Sequence, residues 1–323
     1  MWWSRKPGSA LVPTVPTVLT VLTVLTVLAV PLRAQEIVSR EGYRLPPFDS
    51  LTARQQRDIG RRSSRGEYDS TRSDARYRLE KVRYRSDGLA VVAYLYSPVP
   101  GSTSALRPLV VYNRGSFVEG DLAPSLAPIF RRYAAVGYTV LAPQYRGSDG
   151  GEGRDELGGA DVADVVNAVA LGRSLQGVDS ARVYMFGESR GGMMTYQAIR
   201  ARVPIRAAAV VGAFTDVEET MRSDPGARNA APQIWPDFAE RRAEIVERRS
   251  AIGWAEALDR PLLILHGGAD PQISPEQSLR LASRLQSLGR TYELHIVAGG
   301  DHVLGGLGVS RETAIVAWFR RHE

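Results

Sequence analysis

The chain has 323 residues, of which 44% are hydrophobic and 24% are charged, a composition typical of a globular protein rather than a disordered one. It contains no cysteine, which excludes a disulfide framework, a thiolate metal site and a cysteine nucleophile. The formal net charge of +6 is carried by residues 52–86, where ten arginines and one lysine stand against five acids. Because the acids are interleaved with the arginines and no base-stacking aromatic spacing accompanies them, we predict a solvated face and no nucleic-acid partner.

The N-terminal residues have the pattern of a targeting segment. Arg5 and Lys6 precede an uncharged run from Pro7 to Leu32, and the small residue Ala34 follows. A positive start, an apolar middle and a small residue are typical of a secretory signal peptide. We therefore predict that residues 1–34 are a signal peptide and that the protein is exported, either to the periplasm or to the medium. The run exceeds the usual length of about 7–15 residues, so an uncleaved membrane anchor is the alternative.

The remainder of the chain divides into a polar segment and a long periodic region. Residues 35–76 lack sustained periodicity, which predicts an extended segment lying on the domain formed by residues 77–323. In that domain, short apolar runs alternate with helical ones, which predicts a mostly parallel sheet with helices on both faces. The predicted strands are Tyr77–Arg85, Leu89–Tyr96, Pro108–Tyr112, Tyr138–Ala142, Val183–Phe186, Ala207–Val211, Pro261–Leu265 and Tyr292–Val297. The predicted helices are Leu126–Val136, Val162–Leu171, Met193–Arg202, Glu276–Leu288 and Glu312–Arg321.

A Gly-x-Ser-x-Gly motif centred on Ser189 follows the strand Val183–Phe186 and opens a helix. A serine hydroxyl is a poor nucleophile unless it is exposed and paired with a base, and a strand–turn–helix elbow provides the exposure. Gly187 and Gly191 would let the strand and the helix approach closely. We predict that Ser189 is a nucleophile; the alternative is a glycine-rich helix start with a capping serine.

The base of such a site must be a histidine, and the chain has four. His295 lies within a predicted strand, His322 lies beside the C-terminus, and His266 ends a strand. His302 lies in a glycine-containing loop between the last strand and the last helix, where it is free to project over the strand ends. We therefore predict His302 as the base.

The acid that orients the histidine is predicted to be Asp270, which follows the strand Pro261–Leu265. The order serine, aspartate, histidine along the chain is the one used by α/β hydrolases. A buried carboxylate there would accept a hydrogen bond from one imidazole nitrogen and leave the other to take the serine proton. Asp216, after the preceding strand, is the rival.

Two backbone donors are needed for the oxyanion. The first predicted donor is the amide of Arg190, because this residue directly follows the nucleophile. The second predicted donor is the amide of either Arg114 or Gly115, in the loop after the third strand. The side chain of Arg190 has two possible roles. It would either pair with a substrate carboxylate or form a structural ion pair with Glu188 or Asp301.

Residues 214–257 interrupt the alternation of strands and helices. This insertion is rich in charge, carries Trp235 and Trp254, and has a predicted helix around Asp237–Arg249. We interpret it as a small cap over the site, with an ordinary surface helix as the alternative.

These motifs together resemble the catalytic domain of the prolyl oligopeptidase family of serine peptidases. The resemblance runs from about Tyr77 to the C-terminus and is carried by four stretches, namely Tyr145–Ser148, Gly187–Gly192, His266–Asp270 and Gly300–His302. It implies an α/β-hydrolase fold, with about eight strands by our count, and a triad of Ser189, Asp270 and His302. Family members commonly have an aromatic residue where this chain has Arg190, and residues 35–76 are too few for the β-propeller of the larger members.

The function predicted from these residues is hydrolysis through an acyl-enzyme, and most simply proteolysis. A carboxylic ester hydrolase is the alternative because it shares the mechanism and differs only in the leaving group. A non-catalytic binding scaffold is the alternative of another class. No metal or cofactor is predicted, since no His-x-x-x-His or Glu-x-x-His spacing is present. The predicted partner is a small peptide or ester substrate, with no membrane partner unless the N-terminal segment stays uncleaved.

Overall fold

The computed structural model describes residues 36–99, 101, 105–116 and 120–323. The predicted signal peptide, residues 1–34, lies outside the described residues. Within the described ranges, no helix combines the length and apolar character that crossing a bilayer requires.

One sheet of nine strands organises the described part of the chain. The strands are β1 (Ile37–Gly42), β2 (Tyr77–Ser86), β3 (Leu89–Pro98), β4 (Arg107–Asn113), β5 (Thr139–Pro143), β6 (Val178–Glu188), β7 (Ala207–Val211), β8 (Leu262–Gly267) and β9 (Tyr292–Val297). Their order across the sheet is β1-β2-β3-β5-β4-β6-β7-β8-β9. All eight predicted strands are present, and β1 is an additional ninth.

The sheet is antiparallel at one edge and parallel elsewhere. Strands β1, β2, β3 and β5 pair antiparallel, and the remaining neighbours from β5 to β9 pair parallel. The predicted hairpin turn lies between β2 and β3, where Asp87 and Gly88 both have positive φ, as tight hairpins require. Strands β4 to β8 are buried along most of their length, which explains why they are continuous apolar runs in the sequence.

Ten α-helices surround this sheet in the described residues. They are α1 (Ala53–Gly60), α2 (Arg65–Ser73), α3 (Ala123–Ala135), α4 (Val162–Ser174), α5 (Arg190–Arg200), α6 (Val217–Ser223), α7 (Pro225–Ile234), α8 (Phe238–Arg249), α9 (Glu276–Ser287) and α10 (Gly308–Arg320). Two separate apolar clusters pack on the two faces of the sheet, one of them containing α4, α5 and α9 and the other containing α3 and α10. All five predicted helices of the alternating pattern are present.

The prediction of an extended segment over residues 35–76 was wrong. This segment forms β1, which pairs with β2, and the two short helices α1 and α2. Each helix buries few side chains, among them Ile59 and Tyr68, so neither produces a helical run of apolar residues. The sequence does contain residues that could have indicated the starts of these two helices. Thr52 and Gln55 form a reciprocal capping box at α1, and the side chain of Ser64 accepts from the amide of Glu67 at α2.

The insertion of residues 214–257 folds into α6, α7 and α8, followed by a short 3₁₀ segment, Ala251–Ala257. The predicted helix around residues 237–249 corresponds to α8. Helix α7 was not predicted; it begins with Pro225, a residue suited to the first turn of a helix, but it also contains Pro232.

Candidate active site

The site residues lie on loops that leave the carboxyl ends of four parallel strands, which belong to one run of five neighbours in the sheet from β4 to β9. Ser189 follows β6, the loop 113–116 follows β4, Asp270 follows β8, and His302 follows β9. Carboxyl ends of parallel strands meet at one edge of a sheet, which is where α/β folds place their ligand sites. The topology therefore brings together residues that are far apart in the sequence.

Ser189 stands at a sharp turn between β6 and α5. Its backbone has φ 54° and ψ −121°, a left-handed conformation that is strained for a residue with a side chain. The Ser189 amide donates to the carbonyl oxygen of Val211 at 2.8 Å, which ties the turn to β7. A Cβ at Gly187 would overlap the Gly191 carbonyl, and one at Gly191 would overlap the Asn113 carbonyl. The two glycines thus let strand, turn and helix approach closely, as the sequence predicted.

The three predicted triad residues form one hydrogen-bonded chain. The Nε2 of His302 lies 2.8 Å from the Oγ of Ser189, and its Nδ1 lies 2.8 Å from Oδ2 of Asp270. With a proton on Nδ1, the ring donates to the carboxylate and Nε2 accepts from the hydroxyl. The arrangement can remove the proton of Ser189 and stabilise the imidazolium that forms.

A second histidine, His266, supports the acid. Its Nε2 lies 3.1 Å from Oδ2 of Asp270 and 3.0 Å from the carbonyl oxygen of Ile273, and its Nδ1 lies 2.7 Å from the hydroxyl of Ser278. Two acceptors around Nε2 place the ring proton there. The sequence predicts His266 only as the end of a strand, and it lies in β8 as predicted; the i, i+4 spacing from His266 to Asp270 is the signal for the additional contact.

Asp270 is held as a carboxylate. Burial acts to raise the pKa of this group, but the hydrogen bonds from His266 and His302 outweigh it and hold the pKa below its usual range. The amides of Gln272 and Ile273 donate to its other oxygen at 2.8 and 3.0 Å. The stability that these bonds contribute is present above the ordinary pKa of an aspartate and is lost as the pH falls through the lowered value.

The rival residues lie elsewhere. Asp216 caps α6, where its side chain accepts from the amide of Glu219 at 3.0 Å, and it lies 3.4 Å from Arg280. His295 is half-exposed near Glu293, and the Nδ1 of His322 donates to the carbonyl oxygen of Trp318. No group of His, Asp or Glu within the described ranges could hold a metal ion.

The loop after β4 lies directly against the nucleophile. A Cβ at Gly115 would come within 3.2 Å of the Cβ of Ser189. The Arg114 carbonyl accepts from the hydroxyl of Tyr145 at 3.0 Å, so the Gly115 N–H, across the same trans peptide, points away from Tyr145. The buried guanidinium of Arg114 donates to the carbonyl oxygens of Gly115 and Ser116 at 3.2 and 2.9 Å. These contacts fix the orientation of the loop.

The side chain of Arg190 is buried and is bound by two carboxylates. The guanidinium of Arg190 forms a bidentate ion pair with Asp155, at 2.5 and 2.6 Å, and a further ion pair with Asp161 at 2.8 Å. Its guanidinium also lies 4.4 Å from the ring centre of Tyr145. Burial acts to lower the pKa of Arg190, but the two carboxylates raise it above its ordinary value. The structural pair is therefore observed, but the predicted partners Glu188 and Asp301 were wrong, and the 3% exposed side chain is not presented to a substrate.

Glu188, the residue before the nucleophile, has a different pair of partners. Its buried carboxylate lies 3.1 Å from the Nε of Arg62 and 3.0 Å from the Nη1 of Arg311. Burial acts to raise the pKa of Glu188, but the two guanidinium groups lower it below the ordinary value. Arg311 also donates to the carbonyl oxygen of Val303, next to His302, at 2.5 Å. One arginine from α10 thus contacts the backbone near the histidine and the side chain beside the serine.

Two cavities are lined in part by Ser189 and His302. One, of about 320 Å³, is bounded by the insertion 214–257 and lined by apolar side chains, among them Phe214, Val217 and Met221. The other, of about 590 Å³, is bounded by α1 and the loop 113–116. The site can therefore hold two chemically different substrate portions around one reacting carbonyl.

Comparison with known proteins agrees with this arrangement. The uncharacterized peptidase YtmA of Bacillus subtilis is 28% identical over 219 residues, which cover 67% of this chain and 82% of YtmA. The acylamino-acid-releasing enzyme of Sus scrofa is 26% identical over 267 residues, covering 75% of this chain but 35% of that enzyme. The structure of a puromycin-hydrolyzing peptidase from Mycobacterium tuberculosis matches 77% of this chain and 40% of its own, with a TM-score of 0.66 and 24% identity.

The chain thus spans most of YtmA but well under half of the two larger proteins. The structural match confirms the predicted α/β-hydrolase fold. The model of the prolyl oligopeptidase family matches residues 125–323, more than half of the chain. The protein therefore belongs to the prolyl oligopeptidase family of serine peptidases.

Proposed function

We propose that this protein is a peptidase that cleaves short peptides through an acyl-enzyme on Ser189. The observation that carries the proposal is the chain of two 2.8 Å hydrogen bonds from Ser189 through His302 to Asp270. His302 would accept the serine proton as the hydroxyl attacks the carbonyl and would then return it to the leaving amine. Water, activated by the same histidine, would release the acyl group.

The oxyanion of each tetrahedral intermediate would be stabilised by two backbone N–H groups. Arg190 stands at the N-terminal end of α5, where a helix favours negative charge. Of the two candidates in the other loop, Gly115 is supported by its close approach to Ser189 and by the direction of its N–H. The Arg114 side chain holds this loop in place, which makes it a positioning residue.

The apolar cavity of about 320 Å³ is the proposed site for the side chain of the acyl residue. Its wall comes from the insertion 214–257, including Met221 and Trp235, which are almost fully buried. In this role the insertion acts as the cap that its sequence indicated. A medium-sized apolar side chain at the residue before the scissile bond is therefore expected to be preferred.

The experiment that tests the function combines covalent labelling with matched substrates. We expect a fluorophosphonate probe to label the native protein at one position, and we expect Ser189→Ala to abolish the label. The other serine with a histidine at this distance among the described residues, Ser278 beside His266, is fully buried and out of reach of the probe. Peptide p-nitroanilides and p-nitrophenyl esters with the same acyl group should both be hydrolysed, and peptidase activity requires turnover of the anilides.

Two outcomes separate the alternatives. Turnover of the esters with none of the anilides would identify the protein as a carboxylic ester hydrolase. Absence of labelling in folded protein, or labelling that survives Ser189→Ala, would exclude the catalytic proposal and leave a binding scaffold.

We also propose that residues 1–34 direct export. The proposal is supported by Arg5 and Lys6 before an uncharged run and by Ala34 at its end. If the segment is cleaved, mass spectrometry of the exported protein will find Gln35 at the N-terminus. An exported protein that retains Arg5 would indicate the uncleaved anchor, and retention of the protein in the cytoplasm would contradict the proposal.

A further inference from the structure

The larger cavity beside the nucleophile has a charged wall that the hydrolytic mechanism does not use. Helix α1 contributes Arg54 and Arg57, and its C-cap residue Arg61 joins them, in the wall of a space of about 590 Å³ that also touches Ser189 and His302. The three arginines are spaced by three and four residues, which places them on one face of the helix. Helix α1 belongs to the segment 35–76, before the region that the family model matches.

The charges on this wall are not balanced within the described part of the chain. Asp58 is the acidic residue of this helix. It forms two long ion pairs, one with Arg54 at 3.7 Å and one with Arg61 at 3.9 Å. Arg57 is exposed and has no ion-pair or hydrogen-bond partner for its side chain among the described residues. A guanidinium with five unused donors at the rim of a cavity is a ready carboxylate receptor.

The other charged residues of the cavity do not cancel this excess. Arg62 is engaged by Glu188 at 3.1 Å, and the contacts of the Arg114 guanidinium are carbonyl and hydroxyl oxygens. Burial, together with the nearby charge of Arg190, lowers the pKa of Arg114 to about 10, so it stays protonated at neutral pH. Asp301 accepts from the Gly305 amide at 3.0 Å and is the second acid of the cavity. The three arginines of this wall and Arg114 thus face two carboxylates.

We propose that this cavity is a carboxylate-binding subsite and that Arg57 is its principal receptor. The subsite selects peptides that carry a carboxylate close to the scissile bond. The choice of peptides rests on the proposed function, whereas carboxylate binding itself does not. The apolar cavity takes the neutral side chain on one side of Ser189, and the arginine-lined cavity takes the charged portion on the other.

A carboxylate can reach this cavity from two parts of a peptide. It can be the free C-terminal carboxylate of a short leaving group, or it can be an acidic group further along the acyl portion. Both present the same ligand to Arg57, so the experiment uses one probe pair for each source. The first pair is acetyl-Ala-Ala-Ala as the acid and as the carboxamide. The second pair is Ala-Ala-carboxamide with a succinyl or an acetyl cap.

Binding is measured by calorimetry on the Ser189→Ala protein, in which no turnover occurs. We expect the charged member of one pair to bind about threefold to fivefold more tightly than its neutral partner, the size of an exposed ion pair. Arg57→Gln in the same background should remove that preference, and added salt should reduce it. The pair that shows the preference identifies the source of the carboxylate.

The matched control is Arg284→Gln on α9, which removes one positive charge from an exposed helical arginine outside both cavities. It should retain the preference. Equal affinities within both pairs, or an equal loss in Arg57→Gln and Arg284→Gln, would overturn the subsite. Failure of the proposed function is seen separately, as absence of fluorophosphonate labelling in the native protein.

Discussion

Replacement of His302 by alanine is expected to lower kcat by about a thousandfold or more. The physical reason is that Nε2 of this ring lies 2.8 Å from the Oγ of Ser189, where it would accept the proton, and the described site offers no other acceptor at that distance. Folding should be little affected, because Asp270 keeps its bonds to His266 and to two backbone amides. Steady-state rates on the best substrate, together with urea unfolding, provide the measurement.

Asp270→Asn should lower kcat somewhat less than His302→Ala. An asparagine amide group would face ring nitrogens that both need an acceptor, so the histidine would be held in the wrong tautomer. The matched control is Asp216→Asn, which alters a helix cap and should leave the rate near that of the native protein. If Asp216→Asn proves the more damaging of the two, the acid has been assigned to the wrong residue.

The second large effect concerns stability. Arg311→Met is expected to lower the free energy of unfolding by about 3–5 kcal/mol, because it leaves the buried carboxylate of Glu188 with Arg62 as its remaining cationic partner. The side chain of Arg311 is only 1% exposed. It also forms an ion pair with Glu312 at 2.5 Å and donates a hydrogen bond to the carbonyl oxygen of Val303. Urea denaturation, with the slope compared between variants, measures the change.

Arg321→Met is the control for this variant. Arg321 follows α10 closely and pairs with Glu293, but its side chain is 54% exposed, so its loss should cost less than about 1 kcal/mol. The double variant Arg311→Met, Glu188→Gln should recover part of the lost stability, since it removes the uncompensated charge together with its partner. Equal losses in Arg311→Met and Arg321→Met would contradict the argument.

Most of the sheet could be predicted because its strands are long or fully buried. Strand β7 was predicted at its observed ends, Ala207–Val211, since five consecutive small apolar residues stand between Arg206 and Gly212. The ends of β6 were missed: the strand begins at Val178, and its exposed residues before Val183 carry no apolar signal. Strand β1 is exposed along its whole length, so its pairing with β2 produces no alternation in the sequence.

The arrangement of Ser189, Asp270 and His302 could be predicted because the Gly-x-Ser-x-Gly elbow and the order of loops along a parallel sheet constrain it. The ion-pair partners of Arg190 could not be predicted from the sequence. Asp155 and Asp161 lie in the irregular stretch between β5 and α4, and their approach to the elbow depends on how that stretch folds back over it. Local sequence favours neighbours such as Glu188, but that carboxylate is directed toward Arg62 and Arg311 instead.

The position of Glu188 between Arg62 and Arg311 has a consequence for the folding of the protein during its synthesis. One of these arginines is near the N-terminal end of the described chain and the other is in its last helix. During synthesis the serine emerges long before Arg311, so the acidic residue beside it lacks half of its neutralising charge until the final helix docks. We therefore expect Ser189 to reach its observed geometry only after α10 has been synthesised and has docked. A fragment starting at residue 77 would lack the other half and should fold poorly even though it contains the whole triad.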